Sequence, residues 1–155
     1  MNAVDRAIKD EVIAVPLSFA QQRLWFLAQL DPRAAAAYVI PGGVRLRGAL
    51  HVAALQAALD CIVARHEALR TSFALIEDEP MQIIAEPDAG LALTQVDLSG
   101  HAAPEAVLKS LAAEEAGAPF DLSRGPLIRA RLLKLAEQEH VLLVTMHHIV
   151  SDGWS

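Results

Sequence analysis

The residues best equipped for chemistry stand together at positions 146–155, "MHHIVSDGWS", a run holding His147, His148, Ser151, Asp152 and Gly153. Imidazole is the side chain whose ordinary titration lies nearest neutral pH, which suits it to proton transfer. A carboxylate shortly after it can hold the ring or the loop that carries it. A glycine lets the backbone approach a substrate closely. Read as a strand, Val141, Leu143, Thr145 and His147 fall on one face, and Leu142, Val144, Met146 and His148 on the other. The two histidines therefore point opposite ways and cannot share one task. Residue type and spacing leave two readings open: a proton-transfer group in a cleft, or a satisfied histidine of the core or sheet edge.

Other chemistries lack their residues. The six histidines, His51, His66, His101, His140, His147 and His148, form no HExxH, and there is no CxxC, so no metal site is expected. No GxxxxGK[ST] or GxGxxG is present. The glycines of "PGGV" at 41–44 read as a bend or bulge rather than a nucleotide loop. A net charge of −6 gives no support to nucleic-acid binding or to anionic membranes. The lone Cys61 excludes an internal disulfide and is expected in the core. No apolar run reaches membrane-spanning length, and the N-terminus is neither a signal nor a transit peptide, so a cytoplasmic protein is expected.

The elements that must position the histidines follow from pattern. Residues 1–15 read as a leader or linker. Ser18 is a candidate helix N-cap with Gln21 as its capping-box partner. The helix to about Leu30 carries Leu24, Leu27 and Ala28 on one face, flanked by Phe26 and Leu30, and ends at Asp31-Pro32. "GVRLRG" alternates as a strand. Residues 52–66 form a second amphipathic helix, with Val52, Leu55, Leu59, Ile62 and Val63 on one side. "RTSFALIEDEPMQIIAE" is a hairpin turning at Glu77 to Pro80, "LALTQVDLS" a strand, 104–116 a helix opened by Pro104, and "PFDLSRGPL" a loop. "LIRARLLKL" and "HVLLVTMHHIV" are an antiparallel pair joined around Ala136 to Glu139. With 54% apolar residues in 155, the mixture predicts an α/β sandwich with a mixed sheet.

Three stretches in this order, "LSFAQQRLWFLAQL" at 17–30, "RHEALRTSF" at 65–73 and "MHHIVSDGWS" at 146–155, resemble the first three signature motifs of nonribosomal peptide synthetase condensation domains. The third matches HHxxxDG at His147, His148, Asp152 and Gly153. From His148 onward it also resembles the HxxxDG of chloramphenicol-acetyltransferase-like acyltransferases. "PFDLSRGPLIRARLL" is similar to a further stretch of the same family. The resemblance spans residues 16–155. It implies the N-terminal chloramphenicol-acetyltransferase-like subdomain of a condensation domain, cut just after HHxxxDG.

The resemblance implies amide formation between carrier-bound acyl or peptidyl and aminoacyl thioesters. Donor and acceptor peptidyl carrier proteins would deliver these on phosphopantetheine arms, with no cofactor bound directly. Further implied partners are the C-terminal half of the domain and an adjacent adenylation domain. His148 would accept or steer the amine proton. Gly153 would offer a backbone N–H to the oxyanion, or serve as a plain turn glycine. His147 is read as structural, and Asp152 as a loop-holding carboxylate paired with an arginine. Arg65 and Arg70 are candidates for charge support, or solvated and helix-terminal arginines. Ser18, Gln21, Arg23 and Trp25 are read as architecture. "DGWS" without a DxxxxD favours condensation over heterocyclisation or epimerisation. The competing readings are a catalytically idle structural or carrier-docking half-domain and another HxxxDG acyltransferase. The chain alone is expected to be inactive.

Overall fold

The computed structural model describes residues 13–31 and 37–152. Helix α1, Phe19–Leu30, follows the short strand β1, Ile13–Pro16. The strand starts inside the stretch expected to be a leader. The capping box forms as the spacing predicts: Ser18 Oγ accepts from the Gln21 N–H at 3.3 Å, and Gln21 Oε1 accepts from the Ser18 N–H at 2.9 Å. Ser18→Ala is expected to destabilise the fold by about 1 kcal/mol, read from the midpoint of a urea titration; an unchanged midpoint would show that the box adds nothing here.

Strand β2, Val39–Arg47, leads to helix α2, Val52–Arg65, whose N-cap is His51, with Nδ1 accepting from the Ala54 N–H at 3.1 Å. A 3-10 turn, Glu67–Arg70, precedes the hairpin of β3, Thr71–Ile76, and β4, Glu79–Ile84. The turn is tighter than expected. Glu77 and Asp78 both adopt positive φ, 53° and 66°, as a two-residue hairpin loop requires. Pro80 already pairs with Leu75 in the ladder, one residue beyond the last partner of β1. Strand β5, Leu93–Asp97, helix α3, Pro104–Gly117, and strands β6, Ile128–Ala136, and β7, Glu139–His147, complete the order.

Two sheets form. The smaller is antiparallel, in the order β1-β4-β3. The larger has the order β2-β7-β6-β5 and is mixed, because β5 runs parallel to β6 while the other pairs are antiparallel. Both faces of the larger sheet are covered. On one, α3 brings Leu108 against Leu98, Leu133, Leu135, Val141 and Leu143. On the other, Val63 and Leu59 of α2 pack over Ile128, Ala130, Leu142, Val144 and Met146. This is the expected α/β sandwich. A third cluster joins Leu17, Phe73, Leu122, Leu127, Ile149 and Val150, with Leu24, Trp25 and Ala28 of α1 packed on it. It ties the small sheet to the segment after β7.

Four expectations are corrected. Pro41-Gly42-Gly43 makes no bend or bulge: β2 pairs residue for residue with β7 from Val39↔His147 to Arg47↔Glu139. The proline is accommodated because β2 is an edge strand, with an unpaired outer side. Cys61 is exposed rather than buried. The buried face of α2 is set by Val63 and Leu59, and a residue midway between them is turned about 200° from each. For a related reason Ile62, expected on the inner face, is 47% exposed. Phe26 and Leu30, read as flanking the inner face of α1, point outward with Phe19.

Candidate functional site

Strand β7 delivers its two histidines as its alternation predicts. His147 is fully buried, and His148, the first residue beyond the strand, is exposed. The flanking residues enforce this. Ile149 and Val150 are buried in the third cluster, so the chain is pinned on both sides of His148. Every backbone N–H from His147 to Val150 is satisfied. His147 donates to the Leu127 carbonyl at 3.0 Å, His148 to the Tyr38 carbonyl at 2.8 Å and Val150 to the His147 carbonyl at 3.1 Å. The Ile149 N–H donates to Nδ1 of His147 at 3.1 Å.

That last bond defines the state of His147. An Nδ1 that accepts carries no proton, so the neutral ring bears it on Nε2. Nε2 is buried without a hydrogen-bond partner among the described residues. Phe120 meets the ring edge-on at 6.2 Å, and Tyr38 lies tilted at 6.5 Å. Burial, aided by the neighbouring His148, pushes the His147 imidazole down to about 4.

Phe120 is itself held from behind. The Arg129 guanidinium lies 3.9 Å over its ring, and the same arginine donates to the carbonyls of Ala118 and Pro119. Buried Glu115 joins Arg129 Nε at 2.7 Å and Arg131 Nη2 at 3.2 Å. A carboxylate buried to this degree needs such partners. Phe120, Arg129 and Arg131 fall within the family-like stretch "PFDLSRGPLIRARLL", but no spacing links them to His147 or to Glu115.

His148 faces a cleft of about 800 Å³ walled by the start of α1 (Ser18, Gln21, Arg23, Leu24), by Tyr38, Gln82 and by residues 148–152. The volume accommodates a flexible organic chain. The structure thus brings together His147, His148 and Asp152 in one segment, with His148 and Asp152 on the cleft. It places Arg65 and Arg70 elsewhere. Arg65 is exposed in the last turn of α2. Arg70 is buried in the 3-10 turn, with Nη1 donating to the Ala85 carbonyl and Nη2 pairing with Glu67 at 3.4 Å. Neither lines the cleft. Gly153 lies outside the described residues. Tyr38, Gln82 and Gln21 are cleft residues that no spacing assigned to the site. Among the described residues no group of three or more His, Cys, Asp or Glu side chains could hold a metal ion, and no helix is long and apolar enough to cross a membrane.

A mixed sheet sandwiched by helices, with a histidine leaving one strand into an open cleft, is a chloramphenicol-acetyltransferase-like architecture. The chain belongs to the condensation-domain family, whose model matches residues 13–155. It is 50% identical over 154 residues to malpibaldin synthetase of Mortierella alpina, covering 99% of this chain and 3% of that protein. It is 51% identical over 144 residues to a linear gramicidin synthase from Brevibacillus parabrevis, covering 92% of this chain and 2% of that protein. The starter condensation domain of rhizomide synthetase superposes with a TM-score of 0.83 at 28% identity, over 92% of this chain and 34% of that one. The chain therefore spans a few per cent of the curated relatives it matches and about a third of the solved domain.

Proposed function

We propose that residues 13–155 form the N-terminal part of an amide-forming condensation domain, with residues before Ile13 as a leader or linker. The observation that carries this reading is the orientation of the histidine pair: His148 alone is turned to the cleft, from a segment fixed on both sides. The substrates are an acyl or peptidyl thioester and an aminoacyl thioester, each on the phosphopantetheine arm of a peptidyl carrier protein. The neutral α-amine of the acceptor attacks the donor carbonyl carbon. The C–N bond forms, the C–S bond breaks, and the amine proton passes to the departing thiolate. His148 accepts or steers that proton, a contribution of about 10²–10⁴-fold.

His147 is the structural member of the pair. Asp152 holds the loop. Gly153 offers a backbone N–H to the oxyanion by its place in HHxxxDG. Arg70 acts at a distance from the cleft, as charge support that ties the 3-10 turn to the end of the small sheet through the Ala85 carbonyl, and Arg65 stands exposed at the end of α2. The C-terminal half of the domain supplies the opposite wall, an adenylation domain follows, and the protein works in the cytoplasm.

The test uses loaded donor and acceptor carriers with the complete domain and with residues 1–155 alone, and reads amide product by mass spectrometry. Product from the complete domain and none from the isolated chain is expected. Turnover by the isolated chain would show that one wall suffices. No product from the complete domain would leave a docking or structural module.

A further inference from the structure

We infer that Gln21 is a positioning residue for His148, acting through the carbonyl of Ile149; this rests on the role proposed for His148. The Gln21 amide is oriented by three contacts. Its Oε1 is committed to the Ser18 N–H at 2.9 Å, so both Nε2 hydrogens point away from the helix start. One goes to Gln82 Oε1 at 2.8 Å and the other toward the Ile149 carbonyl at 3.5 Å. Gln82 cannot turn to suit, because its own Nε2 donates to the Pro16 carbonyl at 2.9 Å. A chain of directed hydrogen bonds therefore runs from β1 through β4 and the N-terminus of α1 to the segment after β7.

The target is well chosen. Ile149 follows His148, its N–H is already held by Nδ1 of His147, and its side chain is buried. Holding its carbonyl as well fixes the next peptide, Ile149–Val150, whose N–H donates to the His147 carbonyl at 3.1 Å, so both peptides that follow His148 are held. At 3.5 Å this bond is long and weak, so it biases the direction of a segment that other bonds already hold. Direction is what a reacting imidazole needs, since a displacement of about 1 Å can cost 10²-fold in rate. Ser18, Gln21, Gln82, His148 and Ile149 all line the same cleft, so the network is the wall on which His148 is mounted.

Gln21→Glu in the complete domain separates this role from helix capping. Glutamate is the usual capping-box partner and keeps the acceptor for Ser18. It has no donor, and turns a carboxylate toward two acceptors, Gln82 Oε1 and the Ile149 carbonyl. The expected result is a kcat lowered about tenfold with KM for both carrier-bound substrates unchanged, the pattern of an interaction that matters only in the transition state. Wild-type kcat in Gln21→Glu, with His148→Ala inactive in the same host, would overturn the inference and leave the proposed function standing. Wild-type activity in His148→Ala would overturn both. Should Gln21→Glu fail to fold, Gln82→Leu decides: it keeps the capping box but removes the acceptor that aims the Gln21 amide. A lowered kcat at unchanged KM supports the inference, and a wild-type kcat overturns it.

Discussion

His148→Ala, made in a complete condensation domain that contains this chain, is expected to lower the rate of amide formation by about 10²–10⁴-fold without unfolding the domain. The two halves of that expectation come from different features. The loss of rate follows from removing the one imidazole turned to the cleft. The preserved fold follows from exposure, since substitutions at exposed positions usually change stability by less than about 0.5 kcal/mol. What His148 contributes to the structure is its backbone N–H, bonded to the Tyr38 carbonyl at 2.8 Å, and alanine keeps it. Single-turnover assays with preloaded carriers measure the rate, and thermal melting checks the fold. A variant that condenses at the wild-type rate would remove His148 from the mechanism. A variant that melts early would show that the ring is structural after all.

The neighbouring position should behave in the opposite way. Unfolded, the His147 imidazole takes up a proton near its ordinary value of 6.5; folded, burial holds it down to about 4. Above that window both states are neutral, and His147 adds no pH dependence. Within it, the unfolded state binds a proton that the folded state refuses, so stability falls as the pH is lowered through it. At 1.36 kcal/mol per unit, the loss attributable to this ring is roughly 3 kcal/mol by the bottom of the window. The measurement is the difference between wild type and His147→Asn in urea titrations at several pH values from about 4 to 7, so that carboxylates common to both cancel. Asparagine can still accept from the Ile149 N–H, because its Oδ1 falls where Nδ1 was, and it cannot titrate. The wild type should show the steeper loss on acidification. Equal slopes would mean that the ring reaches solvent or a partner when protonated.

The contrast between these two histidines was legible in advance, because it needs only the period of two and a strand ending at His147. The capping box was legible for the same reason: Ser18 and Gln21 are three residues apart and their bonds are local. The misreadings involve neighbours that no local pattern names. Pro41 interrupts a strand only if both sides are paired, and that β2 lies at the sheet edge is a fact of topology. The apolar company of Cys61 favours the inside, whereas the buried stripe of α2 is narrow and centred on Val63. Gln21 meets Gln82 across 61 positions and Ile149 across 128, and Glu115 meets its arginines from another element. Such partnerships exist only once the sheets have assembled.

The satisfied backbone from His147 to Val150 has a consequence for recognition. A turn beside an open cleft would ordinarily have to be frozen when a ligand arrives, at about 1–2 kcal/mol of conformational entropy for each residue ordered. Here those four residues are already immobilised by folding. A substrate entering the cleft meets a wall that has no order left to acquire, so its contacts with that wall can count in full toward affinity and alignment.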